Sequence, residues 1–246
     1  MSAEIINNMP FDEYLALDRM SSSALKNFMS CPGLYKFRKE NPMKTSAAFA
    51  TGTMIHTWML ENHRFQNEYY VVPSLAKKSK DEKAAYASYV VAANGRELIT
   101  EDAINKYKHL PVRDDTKNEV TVLFDFCGIP CKARFDMLHP NGVEDLKSIA
   151  DIENIDRDFQ KFKYYIQAGF YTQAYFEAFG KWPEFFKFTF VSTGEYVDMV
   201  TCEAEHDYVE YGRMKAKELL EEFTECLTKD VWPGYNGFTI RRPQWI

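Results

Sequence analysis

No stretch of the sequence approaches 18 consecutive apolar residues, which excludes a helix that crosses a membrane. The opening residues, MSAEIINNMPFDEY, lack a basic segment followed by an apolar one, so they do not read as a secretory signal. Internal repeats and low-complexity linkers are missing too, which sets aside solenoid and collagen-like architectures. Cysteine is sparse: Cys31, Cys127, Cys131, Cys202 and Cys226 are five in number, odd and scattered, and read as reduced cytosolic thiols rather than a disulfide framework. A zinc site wants two close pairs of ligands, and only Cys127 and Cys131 are close, with Gly128 and Pro130 between them marking a turn. Nor is there an excess of positive charge. The 30 Lys and Arg against 36 Asp and Glu leave −6, which argues against nonspecific coating of nucleic acid but not against a local grip on it.

What remains is an ordinary globular composition over 246 residues, 46% hydrophobic and 27% charged, long enough to bury a core without metal or disulfide staples. The charges are unevenly spread. Five Lys and Arg lie between Lys26 and Lys44 against Glu40, whereas Glu203–Glu225 holds eight Asp and Glu against Arg213, Lys215 and Lys217.

Ser21-Ser22-Ser23 before ALKNFM predicts an N-capped helix closed by Cys31-Pro32-Gly33. Residues 46–61 predict a largely buried helix, and the polar stretch 74–118, with Lys77, Lys78, Lys80 and Lys83, reads as a mobile or inserted segment carrying one or two helices. Strands are predicted over Glu119–Phe126 and Ile129–Leu138 across a Cys127-Gly128 turn, and over Val143–Ser148 after a turn at His139–Gly142. Asp156–Gly180 predicts the longest helix, Phe185–Ser192 and Glu195–Cys202 a second hairpin, and Glu203–Thr228 an acidic closing helix. The order predicts one mixed α/β domain with a central sheet flanked by helices.

Chemistry-bearing residues gather at one end of that sheet. Asp145 and Lys147 share a strand face, and the turn after Asp136 brings a second carboxylate towards them. Two carboxylates this close need a cation or a proton between them, and hard oxygen ligands suit Mg²⁺ or Mn²⁺. Gly52-x-x-x-His56 lies on the buried helix, where the glycine admits a close neighbour and the histidine looks out one turn later. Gln160, Tyr164, Gln167, Tyr171 and Tyr175 form a stripe along the long helix, able to donate to a phosphodiester backbone. Each feature also has a plain structural reading: a surface ion pair, a satisfied core histidine, the polar side of an amphipathic helix.

Taken in order, Gly52-x-x-x-His56, Asp136, Asp145-Leu146-Lys147 and Gln167-x-x-x-Tyr171 resemble the RecB-type branch of the PD-(D/E)XK nuclease superfamily. More narrowly, Ser22-Ser23-Ala24-Leu25-Lys26-x-Phe28, Cys31-Pro32 and Tyr35, with the ending Trp232-Pro233-Gly234-Tyr235 through Pro243-Gln244-Trp245, resemble the RecE (exonuclease VIII) nucleases of phages and prophages. The resemblance implies that His56, Asp136, Asp145 and the Leu146 carbonyl hold Mg²⁺ or Mn²⁺. It also implies that Lys147 serves the attacking water and that Gln167 and Tyr171 hold the DNA, with Gln167 supporting the catalytic geometry. It implies a 5′-to-3′ exonuclease on linear double-stranded DNA, making 3′ overhangs for a RecT-like strand-annealing recombinase. A ring-shaped homo-oligomer in the cytoplasm of a bacterial host, with no membrane partner, goes with it. Some relatives carry an iron–sulfur cluster on one early and three late cysteines; Cys31 is followed late only by Cys202 and Cys226, so no cluster is expected. Another RecB-type nuclease, acting on single strands or internally, and an inactive DNA-binding protein on the same fold stand as the alternatives.

Overall fold

An exposed turn at Cys127-Gly128 joins the two longest strands of the fold. A computed structural model describes residues 3–41, 47–74 and 79–235. In chain order these form β1 (Glu4–Ile6), α1 (Phe11–Ala16), α2 (Ser22–Ser30), α3 (Pro32–Glu40), α4 (Ala47–Leu60), α5 (Asn62–Glu68) and β2 (Tyr69–Val72). Next come α6 (Lys80–Ala93), β3 (Glu97–Thr100), α7 (Glu101–Asn105), β4 (Lys117–Phe126), β5 (Ile129–His139) and β6 (Gly142–Ile149). After a short 3₁₀ turn follow α8 (Ile155–Lys161), α9 (Tyr164–Phe179), β7 (Phe185–Ser192), β8 (Met199–Glu203) and α10 (His206–Lys229). Among the described residues, the main sheet has six strands in the order β1-β4-β5-β6-β7-β8. It is mixed, with β6 and β7 parallel and the other neighbours antiparallel. Cys127 and Gly128 both have positive φ, as a two-residue hairpin matched to strand twist requires.

Two hydrophobic clusters sandwich this sheet. In the larger, Val120, Val122, Phe124 and Phe135 pack on Phe170 and Ala174 of α9, backed by Leu220 and Phe223 of α10 and anchoring Leu25 and Phe28 of α2. The helices α9 and α10 cross at Gly169 and Gly212, where a Cβ on Gly212 would lie 1.7 Å from the Tyr165 carbonyl oxygen. The smaller cluster joins Met54, Ile55 and Met59 of α4 to Ile99, Ile104, Met137, Leu146 and Val191.

The architecture is the expected single α/β domain, with several corrections. The long helix over Asp156–Gly180 is two helices, broken where Lys163 takes a left-handed conformation, so Gln160 does not share a helix with Tyr164–Tyr175. α10, at 24 residues, is the longest. Pro32 does not merely close α2; it opens α3, a role suited to a residue without an N–H, with the Cys31 sulfur accepting from the Leu34 N–H. The 74–118 stretch contains α6 and α7 but also β3, parallel to β2, and it buries Ile99, Ile104, Tyr107 and Leu110 in the smaller cluster. It therefore supplies core. The second strand of the late hairpin begins at Met199, not Glu195. Lys77, Lys78 and the Pro243–Trp245 ending lie outside the described residues. Among the described residues, no helix is long and apolar enough to cross a membrane.

Candidate metal centre

The ladder between β4 and β5 pairs Asn118 with Met137 and Val120 with Phe135, and between those pairs stand Glu119 and Asp136. On a regular ladder Phe135 and Met137 would share a face. Here Phe135 belongs to the α9 cluster and Met137 to the α4 cluster, so the sheet surface inverts across this one step. Glu119 makes the inversion with φ +55, a left-handed conformation that costs a residue with a side chain about 1–2 kcal/mol. Interruptions of this kind re-aim side chains, and such strain collects at functional sites. Beyond Met137 and Glu144 the pairing of β5 with β6 stops while β6 continues along β7 to Ile149. In the fork so formed, the Asp136 carboxylate accepts from the Leu146 N–H at 2.7 Å, where a strand carbonyl would otherwise stand.

α4 lies against β6. A Cβ on Gly52 would come 2.8 Å from Ser148 Oγ, which is the close approach the glycine permits, and one turn on His56 meets Leu146. His56 Nε2 is 3.1 Å from the Leu146 carbonyl oxygen and Nδ1 is 3.7 Å from Glu119 Oε1. His56, Glu119 and Asp136 each offer a ligand atom within 4.8 Å of the others. The other Glu119 oxygen is held by the Arg134 guanidinium, which also donates to the Met9 carbonyl at 2.7 Å. Across the fork, Asp145 accepts from Gln167 Nε2 at 2.6 Å and is ion-paired with the Lys147 ammonium.

The acids lie at the bottom of this group and the cations at its rim. Glu119, Asp136 and Asp145 are buried, whereas the side chains of His56 and Lys147 keep 30% and 21% of their exposure. Burial, and then the charge of Asp145, push Asp136 up to about 7. Burial works against a charged His56, but Asp136 and Glu119 outweigh it and push the imidazole up to about 9. For Lys147, too, burial is outweighed by Asp145 and Asp136, and the ammonium is held above its ordinary value. Protons and side-chain cations thus offset carboxylates that a divalent ion would offset better. Two carboxylates, an imidazole and a bordering carbonyl oxygen fit Mg²⁺ or Mn²⁺.

Of the residues expected from sequence, His56, Asp136 and Leu146 meet in one group, and Asp145, Lys147 and Gln167 meet beside it. Tyr171 is buried, packed edge-on to Phe135 and Phe186, with its hydroxyl hydrogen-bonded to Gln167 rather than presented at the surface. Glu119 was missed, as was Arg134 as its partner.

Residues 21–239 match the family described as PDDEXK-like domain of unknown function (DUF3799). The fold is similar to that in a crystal structure of a protein of Eubacterium rectale described as a "putative exonuclease", with a TM-score of 0.61, 15% identity and 96% of each chain covered. Among curated proteins there is no significant match.

Proposed function

The chain belongs to the PDDEXK-like domains of the family DUF3799, and from that premise we propose that it is a metal-dependent deoxyribonuclease, a 5′-to-3′ exonuclease on linear double-stranded DNA. The observation that carries the reading is the convergence of His56, Glu119 and Asp136 within 4.8 Å in the strand fork whose other side holds the Asp145–Lys147 pair. His56, Glu119, Asp136 and the Leu146 carbonyl would hold the ion, and Asp145 stands across the fork from that group. When bound, Mg²⁺ or Mn²⁺ polarises the phosphoryl oxygens and acidifies the attacking water.

The protein's own groups do the rest. Lys147 keeps its proton against burial, so it is not the base; it donates to the water or to the phosphoryl oxygens and offsets their developing charge. Gln167 holds Asp145, and Tyr171 holds Gln167, so both are positioning residues. The water oxygen bonds to phosphorus, the bond to the 3′ oxygen breaks, and one water proton ends on that oxygen. The products are a 5′-phosphate and a 3′-hydroxyl. The polarity, the 3′ overhangs passed to a RecT-like annealing protein and the ring-shaped oligomer rest on the RecE-like sequence at Ser22–Tyr35 and Trp232–Trp245.

The test is a gel assay on linear duplex DNA labelled at the 5′ or the 3′ end, with Mg²⁺ or EDTA, for wild type and Asp136→Asn. Metal-dependent release of the 5′ label as mononucleotide, absent in the variant, is expected. Early loss of the 3′ label would overturn the polarity, and intact DNA in every lane, Mn²⁺ included, would overturn the nuclease.

A further inference from the structure

The Ser22–Tyr35 segment has no part in the metal centre, yet it carries a charge to its edge. α2 is fixed by Leu25 and Phe28, both buried in the larger cluster, and between them it projects Lys26. The Lys26 ammonium stands 5.6 Å from the centre of the Tyr164 ring, and the Lys147 ammonium stands 5.9 Å from the same ring. Two lysines therefore approach one aromatic at the first residue of α9.

Their circumstances differ. Lys147 is paired with Asp145. Among the described residues Lys26 has the Tyr164 ring beside it but no ion pair and no side-chain hydrogen bond. Its position is also unfavourable for a cation. Burial first, and then the charge of Lys147, lower it to about 8, and the start of α9 adds the positive end of a helix dipole. The charge of Asp145 favours the ammonium but does not make up for burial and Lys147, and a cation kept there without a paired anion costs free energy that a bound anion would recover.

We propose that Lys26 is a phosphate-binding residue, whose ammonium takes the backbone phosphate next to the one being cut, beside the Tyr164 ring that it shares with Lys147. This rests on the nuclease reading. Lys26 thereby positions the strand, so its loss acts on binding more than on the chemical step, and Arg can replace it.

The experiment measures binding of a short fluorescent duplex across a salt series, with Ca²⁺ in place of Mg²⁺, and steady-state cleavage with Mg²⁺. Lys26→Met should raise Kd and KM with little change in kcat and lower the slope of log K against log[salt] by about 0.9, the value of one phosphate contact. Lys26→Arg should retain the wild-type slope. A neutral methylphosphonate at the adjoining phosphate should lower the slope for wild type, a readout that does not depend on how the variant folds, and do nothing further to Lys26→Met. Unchanged slopes in a wild-type protein that binds and cuts DNA would overturn the role of Lys26 alone. Failure of wild type to bind or cut would overturn the nuclease reading and this role with it.

Discussion

Binding of Mn²⁺ to the metal-free protein at pH 7 should expel protons, from His56 first and from Asp136 in addition. His56 has an acceptor at each ring nitrogen, the Leu146 carbonyl oxygen at 3.1 Å and Glu119 Oε1 at 3.7 Å. A ring that donates from Nε2 to the carbonyl and pairs as a cation with Glu119 is doubly protonated. Burial opposes that charge, but Asp136 and Glu119 prevail and raise the imidazole to about 9, so at pH 7 it is almost wholly protonated. Asp136, raised to about 7 by burial and then by Asp145, holds a proton far more readily than a free carboxyl. Metal ligands must shed their protons, so His56 gives up about one and Asp136 whatever share it holds. The sign follows: apparent affinity for Mn²⁺ rises with pH, about tenfold per unit for each proton displaced, and levels off above the His56 value. Calorimetric titration in two buffers of equal pH and different ionisation enthalpy counts the protons directly. His56→Asn should remove the imidazole's share and leave only the proton of Asp136, which that variant holds more firmly because the neighbouring cation that lowers it is gone. Stoichiometric Mn²⁺ binding with no proton release by wild type would refute the assignment of His56 and Asp136 as ligands.

The helix crossing and the support of Asp145 give two more expectations. In Gly212→Ala, the added Cβ would meet the Tyr165 carbonyl oxygen at 1.7 Å, and backbone cannot swing aside as a side chain can. Overpacking costs about 1–3 kcal/mol and here belongs at the upper end or beyond, so the thermal midpoint should drop by several degrees; an unchanged midpoint would mean that α9 and α10 separate freely. Gln167→Ala removes the 2.6 Å hydrogen bond to Asp145 and leaves the His56 group untouched. Cleavage should fall about 10–100-fold with proton release on Mn²⁺ binding unaltered, and full activity would remove Gln167 from the mechanism.

Much of this was legible because it followed simple periods. The apolar runs of β4 to β7 and the Cys127-Gly128 turn place the sheet, and Asp145-Leu146-Lys147 could be read on it because a strand spaces its faces by two. Glu119 could not be read that way. Its place in the site depends on a left-handed backbone and an inverted face, and both are set by contacts with Arg134 and His56 that are remote in sequence. The break at Lys163 was hidden for a related reason: Phe162-Lys163-Tyr164 contains no glycine or proline, and the ring packing of Tyr164 against Phe159 and Phe188 holds the corner. The strand β3 was missed because four residues, Glu97–Thr100, carry too short an alternation.

The inversion at Glu119 and Asp136 has a mechanical side. The pair stands at the seam of two separately packed interiors, with Phe135 and Val120 rooted in one and Met137 and Leu146 in the other. His56 belongs to a helix anchored in the second by Met54, Ile55 and Met59. An ion held by His56, Glu119 and Asp136 is therefore a rivet through two plates, and each plate reports on it: without the rivet, amides of α4 should exchange with solvent well before those of α9.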